Sequence, residues 1–407
     1  MRLIHTSDWH LGQTFHGFDR HAEHAAFLDW LIGQLEARAS DALLIAGDVF
    51  DQVNPSAEAQ RLFYRFLAEA RKRCPQLDIV VIAGNHDSPA RMEAPQDILH
   101  ALGVHVIGQL NGVNRDEDAL RIPLRDGDGR IAAWVLAVPF LRPADLPRGA
   151  GDVYVQGIAD TYRRVVDAAL AAREPDQALL AMGHLHVRGG NISALSERAL
   201  IIGGEEAVSA DIFPPQLAYV ALGHLHLAQH VGRESVRYCG SPMPLSFAEI
   251  NYPHQIVEVE LQGAELLSSQ PISVPRAAQL LRVPARHAPL ADVLGQLSAL
   301  DITESAAGLE PLIEVRVTQD LANTGLRAQV EAALEGKRVR LARIDVQRRQ
   351  SSDPANAQID APKLALEALQ PTALFLRLVQ QETQQDASES LLQAFGELVE
   401  LAEGGQG

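Results

Sequence analysis

Thiols are scarce in this chain: Cys74 and Cys239 are the only two in 407 residues, too few for a disulfide framework. Long apolar stretches are missing too. The most extended, Ala132 to Leu141, falls well short of the ~20 residues that a membrane-spanning helix needs. The opening residues, Met1 to Asp8, carry neither the charged head and apolar stretch nor the small-residue cleavage site of a secretory signal, so a cytoplasmic protein is expected. Positive charge is in deficit, with 35 Lys and Arg against 52 Asp and Glu and a net charge of −17. That balance argues against an autonomous nucleic-acid binder, unless phosphate contacts are local or a partner supplies positive surface. A Gly-rich phosphate loop is also lacking. Gly336-Lys337 is followed by Arg338 and has no upstream glycine in place, so any use of ATP belongs to another subunit.

What is present begins with a length that suits two or three domains, at roughly 100–200 residues each. Three early apolar runs of β type end in polar clusters: Leu3 to Asp8, Ala42 to Asp48 and Ile79 to His86. Helical patterns, His21 to Arg38 and Ser56 to Arg73, lie between them, which predicts βαβαβ and a buried parallel sheet. Further strands are predicted at Ala132 to Val138, Ala178 to Met182, Tyr219 to Leu222, Val236 to Tyr238 and Gln255 to Leu261, with a helix over Gly157 to Ala172. Together these make two packed sheets flanked by helices. After Pro275 a small α+β unit is expected, with strands at Leu280 to Val283, Leu312 to Thr318 and Val339 to Val346 and a helix over Gly325 to Leu334. Gln350 to Asp360 has linker composition, and two apolar-faced helices, Lys363 to Leu378 and Ser388 to Leu401, are predicted beyond it. The expected domains are therefore 1–275, 276–350 and 363–407, with residues 351–362 as the linker.

The chemistry-bearing residues fall where an open α/β sheet places its ligands, at the carboxyl ends of strands. They form five clusters: Asp8-Trp9-His10, Gly47-Asp48-Val49-Phe50-Asp51, Gly84-Asn85-His86-Asp87, Gly183-His184-Leu185-His186 and Gly223-His224-Leu225-His226. Carboxylate, imidazole and amide oxygen suit Mn, Fe, Zn or Mg. A site with two ions needs a ligand that bridges, and a carboxylate has two oxygens to share; Asp48, in the central strand, is the candidate. Asp8 and His10 are two residues apart, as are His224 and His226, so each pair can turn onto one ion. Gly47, Gly84 and Gly223 permit tight or left-handed turns with no side chain crowding the ions.

In this order, Asp-x-His, Gly-Asp-x-x-Asp, Gly-Asn-His-Asp and Gly-His-x-His resemble the calcineurin-like metallophosphoesterase superfamily. More narrowly, Thr6 to Gly12, Ala46 to Asp51, Gly84 to Ser88, Ala221 to His226 and Tyr238-Cys239-Gly240-Ser241-Pro242 resemble the bacterial SbcD-type nuclease subunits. The resemblance implies a four-layer α-β-β-α sandwich, then a small α+β capping domain and C-terminal helices. It implies one metal held by Asp8, His10, Asp48 and His226, and a second held by Asp48, Asn85, His184 and His224. His86 would protonate the leaving oxygen, with Asp51 hydrogen-bonded to it to fix its tautomer. Two divalent ions, Mn²⁺ by expectation, would activate water for attack on phosphorus. The resemblance further implies a coiled-coil ATPase partner of the SbcC type, two copies of each subunit, and ATP-dependent cleavage of duplex DNA ends with endonuclease action on single strands or hairpins, in DNA repair, recombination and replication. The extra histidine, His186, duplicates the Gly-His-Leu-His pattern and leaves open whether it replaces or assists His184.

A basic run, including Lys337, Arg338, Arg340 and Arg343, is expected either to be a solvated face or to grip DNA phosphates. Two other functions compete. A phosphomonoesterase or cyclic-nucleotide phosphodiesterase would share the dimetal core, but would not need the C-terminal segments, and Asp51 is not followed by the phosphate-holding Arg of the protein Ser/Thr phosphatases. A catalytically dead scaffold would not need His86 or Asp51.

Overall fold

The computed structural model of the chain describes residues 1–110, 117–146, 153–191, 207–319 and 325–348. The expected linker and the two C-terminal helices lie outside the described residues.

Two six-stranded sheets form the body. The first runs Glu265–Ser273, Gln255–Gln262, Arg2–Thr6, Ala42–Ala46, Asp78–Ile82, Val104–Ile107, and its last four strands are parallel. The second runs Gln229–Val231, Arg233–Tyr238, Tyr219–Gly223, Ala178–His184, Ile131–Ala137, Arg121–Arg125, parallel through its four central strands.

The two-residue period of a strand sorts the side chains between layers. In the strand Ala42–Ala46, Ala42, Leu44 and Ala46 join the core between the sheets, while Leu43 and Ile45 join a second core under helices. Asp78–Ile82 divides likewise, with Val80 and Ile82 on one side and Ile79 and Val81 on the other. The helices His21–Ala37 and Ala57–Arg73 cover the first sheet with Phe27, Leu28, Leu31, Phe63, Phe66 and Leu67. The second of them starts where Ser56 accepts a hydrogen bond from the Ala59 amide at 3.1 Å, a side-chain N-cap. On the far side, Ile158, Tyr162, Val165, Val166 and Ala169 give the helix Val153–Ala172 one apolar stripe that packs against the second sheet. The result is helix, sheet, sheet, helix, as the sequence predicted.

The α+β unit after Pro275 is present, with one more helix than expected. Its three strands, Leu280–Pro289, Leu312–Gln319 and Arg340–Arg348, carry the helices Leu290–Ser298 and Leu326–Ala333. Ile313, Val315 and Val317 face those helices, so Glu314 and Arg316 fall on the opposite face. A small cluster of Phe15, Phe247, Leu280 and Leu312 joins this unit to the body. By its contacts the chain divides into Met1–Gln347 and Arg348–Gly407, so this three-stranded sheet belongs with the sandwich. Among the described residues, no helix is long and apolar enough to cross a membrane.

Candidate metal centre

Three neighbouring parallel strands of the first sheet end in the loops that carry Asp8, Asp48 and Asn85, and two neighbouring strands of the second end at His184 and just before His224. The first two loops stay zipped beyond the sheet: Asp8 N donates to Gly47 O at 3.0 Å, His10 N to Asp48 O at 3.1 Å and Leu11 N to Val49 O at 2.9 Å. Trp9 anchors this segment. Fully buried against Phe27, Phe63 and Phe66, it donates from Nε1 to Thr6 Oγ1 at 2.9 Å, so Asp8 and His10 on either side project from a fixed frame.

Asp48 sits at the centre, buried, with Oδ2 3.6 Å from His10 Nε2 and 3.3 Å from His184 Nε2. Three sets of donor atoms lie close enough to share an ion: Asp8, His10 and His226; His10, Asp48 and His86; and Asp8, Asp48 and His184. Asn85 Oδ1 completes the group, 3.0 Å from both His184 Nε2 and His224 Nδ1. All seven expected metal-binding side chains therefore converge. His186, partly exposed, falls in none of these sets, because its strand ends at His184.

Several features fit these residues to divalent cations. His10 is 3% exposed, yet neither of its ring nitrogens has a hydrogen-bond partner, a costly state for buried imidazole that an ion would relieve. The outer nitrogens of two other histidines are held from behind. His184 Nδ1 lies 2.9 Å from Ala46 O, and His226 Nδ1 lies 3.0 Å from Glu249 Oε1, which fixes the orientation of both rings. Asp8, His10, Asp48 and His224 all adopt positive φ, at 54°, 47°, 48° and 100°. Such backbone is strained for residues with a Cβ and concentrates at functional sites. Space is equally constrained. A Cβ on Gly84 would lie 2.1 Å from Asp48 Oδ1 and one on Gly223 2.0 Å from Ala46 O; of the three glycines singled out in the sequence, only Gly47 uses left-handed backbone, at φ 91°.

The electrostatics are those of an anion among imidazoles. Burial opposes ionisation of Asp48, but the neighbouring His184, His10 and His86 hold its carboxyl well below the usual range. Burial likewise opposes the charged form of His184, and the Asp48 carboxylate outweighs it, raising the imidazole to about 9. Burial and the charge of His184 depress His224 to about 3, so its ring is neutral and one of its nitrogens keeps a lone pair.

One expectation is corrected. The Asp51 side chain does not bond His86; its main-chain carbonyl accepts from His86 Nδ1 at 2.8 Å, while its carboxylate lies 3.3 Å from His10 Nδ1. The loop dictates this, because Asp51 N donates to Leu11 O and thereby turns the side chain toward the first loop. The bond to His86 is thus made by the Asp51 backbone, which can only accept, so His86 Nδ1 carries the hydrogen.

Sequence reasoning missed Glu249, buried behind His226, and left the Tyr238 to Pro242 motif without a task. Tyr238 Oη accepts from Val187 N at 2.9 Å and donates to Leu185 O at 2.7 Å, which pins the loop after His184. Ser241 N donates to His226 O at 3.1 Å, and Ser7 Oγ lies 3.0 Å from Cys239 Sγ while also bonding Asp8.

The basic run at and before the strand Arg340–Arg348 is differently placed. Lys337 Nζ donates to Ser298 O at 3.0 Å, Arg340 donates to Glu310 O at 3.0 and 2.8 Å, and Arg343 Nε donates to Glu314 Oε1 at 2.7 Å. Arg338 is 3.5 Å from Glu310 Oε1, with half of its side chain exposed.

This fold and this centre are those of a class of hydrolase, and comparison with known proteins agrees. The family described as calcineurin-like phosphoesterase matches residues 1–228, and the chain belongs to it. Residues 276–383 match a family described as type 5 capsule protein repressor C-terminal domain. The SbcD subunit of nuclease SbcCD from Rhodobacter capsulatus is 44% identical over 384 residues, covering 92% of this chain and 93% of that protein. The proteins of the same name from Escherichia coli K12 and Bacillus subtilis are 38% and 35% identical, covering 68% and 69% of this chain and 68% and 72% of their own lengths. Within the calcineurin-like phosphoesterases, the chain is thus a member of the SbcD family of nuclease subunits.

Proposed function

We propose that this chain hydrolyses DNA phosphodiester bonds at its Asp48-centred metal site and works as the nuclease subunit of a complex with an SbcC-type coiled-coil ATPase. The observation that carries the reading is the placement of one buried carboxylate between His10 and His184, at 3.6 and 3.3 Å. In our assignment Asp8, His10, Asp48 and His226 hold one divalent ion, and Asp48, Asn85, His184 and His224 hold the other, with Mn²⁺ as the proposed metal. Bound there, the ions supply Lewis acidity and a nucleophilic water at neutral pH. The chain's own residues do the rest. Asp48 orders the centre, and its Oδ1 accepts from His86 N at 2.9 Å, which fixes the next loop. His86, with its Nδ1–H committed to the Asp51 carbonyl, acts as the imidazolium: its Nε2–H passes to the departing oxygen and leaves the ring as the neutral Nδ1–H tautomer. Glu249 holds His226 by its outer nitrogen and keeps the ring from turning.

The proposed organisation is a nuclease domain over 1–275, a capping domain over 276–350, and a helical segment over 363–407 that docks on the ATPase. Two copies of each subunit are proposed, in the cytoplasm. Of the basic run, Arg338 is the proposed DNA contact, because Lys337 and Arg340 are bound to carbonyls of the unit itself and Arg343 to the Glu314 carboxylate.

The test is cleavage of labelled linear duplex DNA by the chain with its ATPase. Chelation should abolish it and Mn²⁺ restore it, while a small aryl phosphodiester and a phosphopeptide should be poorer substrates. Faster turnover of the phosphopeptide than of DNA would favour the phosphomonoesterase reading instead.

A further inference from the structure

Asp87 ends the Gly-Asn-His-Asp cluster, has no place among the metal-ligand sets, and is completely buried. Its carboxylate bonds in a one-sided way. Oδ1 accepts from Phe50 N at 2.9 Å, and Oδ2 accepts from Val49 N at 3.2 Å and from Gly84 N at 2.8 Å. All three partners are backbone donors, and two belong to the neighbouring loop, directly after Asp48.

Asp48 does the converse. Its Oδ1 accepts from His86 N in the loop that carries Asp87. Each loop therefore lends one aspartate to the amides of the other, and the two strands beneath, Ala42–Ala46 and Asp78–Ile82, end side by side in parallel register. The loops have already left the sheet at this point, so ladder hydrogen bonds no longer fix their separation, and this exchange of carboxylates does. On its outer side the Asp87 carbonyl accepts from Arg142 Nη2 at 3.1 Å, which holds the residue from behind.

We propose that Asp87 is a positioning residue of the metal centre: its carboxylate clamps the Asp48 loop to the Asn85–His86 loop and sets the spacing between the shared ligand and the amide ligand. This rests on the dimetal reading of the site. The donor pattern makes the requirement specific to a carboxylate. In Asp87→Asn one oxygen becomes an NH₂ group that must face a backbone N–H, so at least one amide loses its acceptor and meets a donor instead. A near-isosteric change thus opens the clamp while barely altering volume.

Manganese binding to the full-length purified chain provides the test, by calorimetry and by the electron paramagnetic resonance of the loaded protein. The wild-type chain should take two ions and show a spin-coupled pair. Asp87→Asn should lose about 10–100-fold in affinity for at least one ion, the range seen when groups supporting a ligand are removed, and the coupled signal should give way to that of isolated Mn²⁺. Circular dichroism and the melting temperature of the metal-free proteins report folding separately. If Asp87→Asn fails to fold, Asp87→Ser, which keeps one acceptor and leaves room for water, is read in the same assays with the same expectation. A folded variant that binds both ions as tightly as wild type, with the coupled signal intact, would overturn the positioning role even if it were less stable. A wild-type chain that binds no pair of ions would overturn the dimetal reading itself.

Discussion

At the strand ends of the sandwich, His10 lies buried with two unbonded nitrogens, and four of the converging residues hold left-handed backbone. In the three-stranded sheet charged groups answer one another: the fully buried Glu314 accepts from Arg282, Arg316 and Arg343 at 2.7–2.9 Å, and Arg340 closes on the Glu310 carbonyl. The first region stores unmet bonding and strain, which only a ligand relieves. The second has spent its bonding on holding three strands together and the unit to the body. Density of charge alone therefore does not mark a site; what matters is the bonding capacity left over.

The largest effect that would sharpen this contrast is expected at His86. His86→Ala should leave two metals bound while kcat falls by roughly 10²–10⁴, the usual contribution of a general acid or base. Equal loss of metal would make His86 a ligand, a possibility its proximity to His10 and Asp48 makes concrete. Next comes Glu249→Gln, which keeps the shape behind His226 and removes the charge. It should weaken metal binding about 10-fold, measured by calorimetry, whereas unchanged affinity would show that the orphaned atoms at the front of the site suffice. The smallest effect is expected in the capping sheet. Arg338→Ala should make the salt dependence of DNA binding shallower by about 1 in log–log slope. Arg340→Ala should leave that slope alone and lower the melting temperature. If Arg340→Ala changed the slope instead, the paired arginines of the cap would have to be counted as DNA contacts.

Much of the metal end was legible in the sequence because its grammar is local. An apolar run followed by Gly-Asp or Gly-Asn-His states both the strand and what stands at its end. The atoms doing the bonding were less legible. Asp51 was expected to reach His86 with its side chain, but the reach depends on the turn that its amide makes with Leu11, a contact 40 residues away in the chain. Glu249 looked like any surface glutamate, because its burial follows from a short turn over Phe247–Glu249 that carries no periodic signal. His184 and His186 stand in one repeated motif, and only the strand end separates them. The arginines of the cap looked free because their partners, Glu310 and Glu314, lie about 30 residues upstream on a neighbouring strand or its approach. The strands Val104–Ile107, Arg121–Arg125 and Glu265–Ser273 went unpredicted; all are edge strands, or pair with one, where short or polar runs suffice.

The central claim is that Asp48 is shared. Anomalous diffraction from crystals grown with Mn²⁺ tests it most directly: two peaks roughly 3.5–4 Å apart, each coordinated by an oxygen of Asp48, is the predicted result. A single peak, or a pair in which Asp48 contacts just one ion, would contradict it.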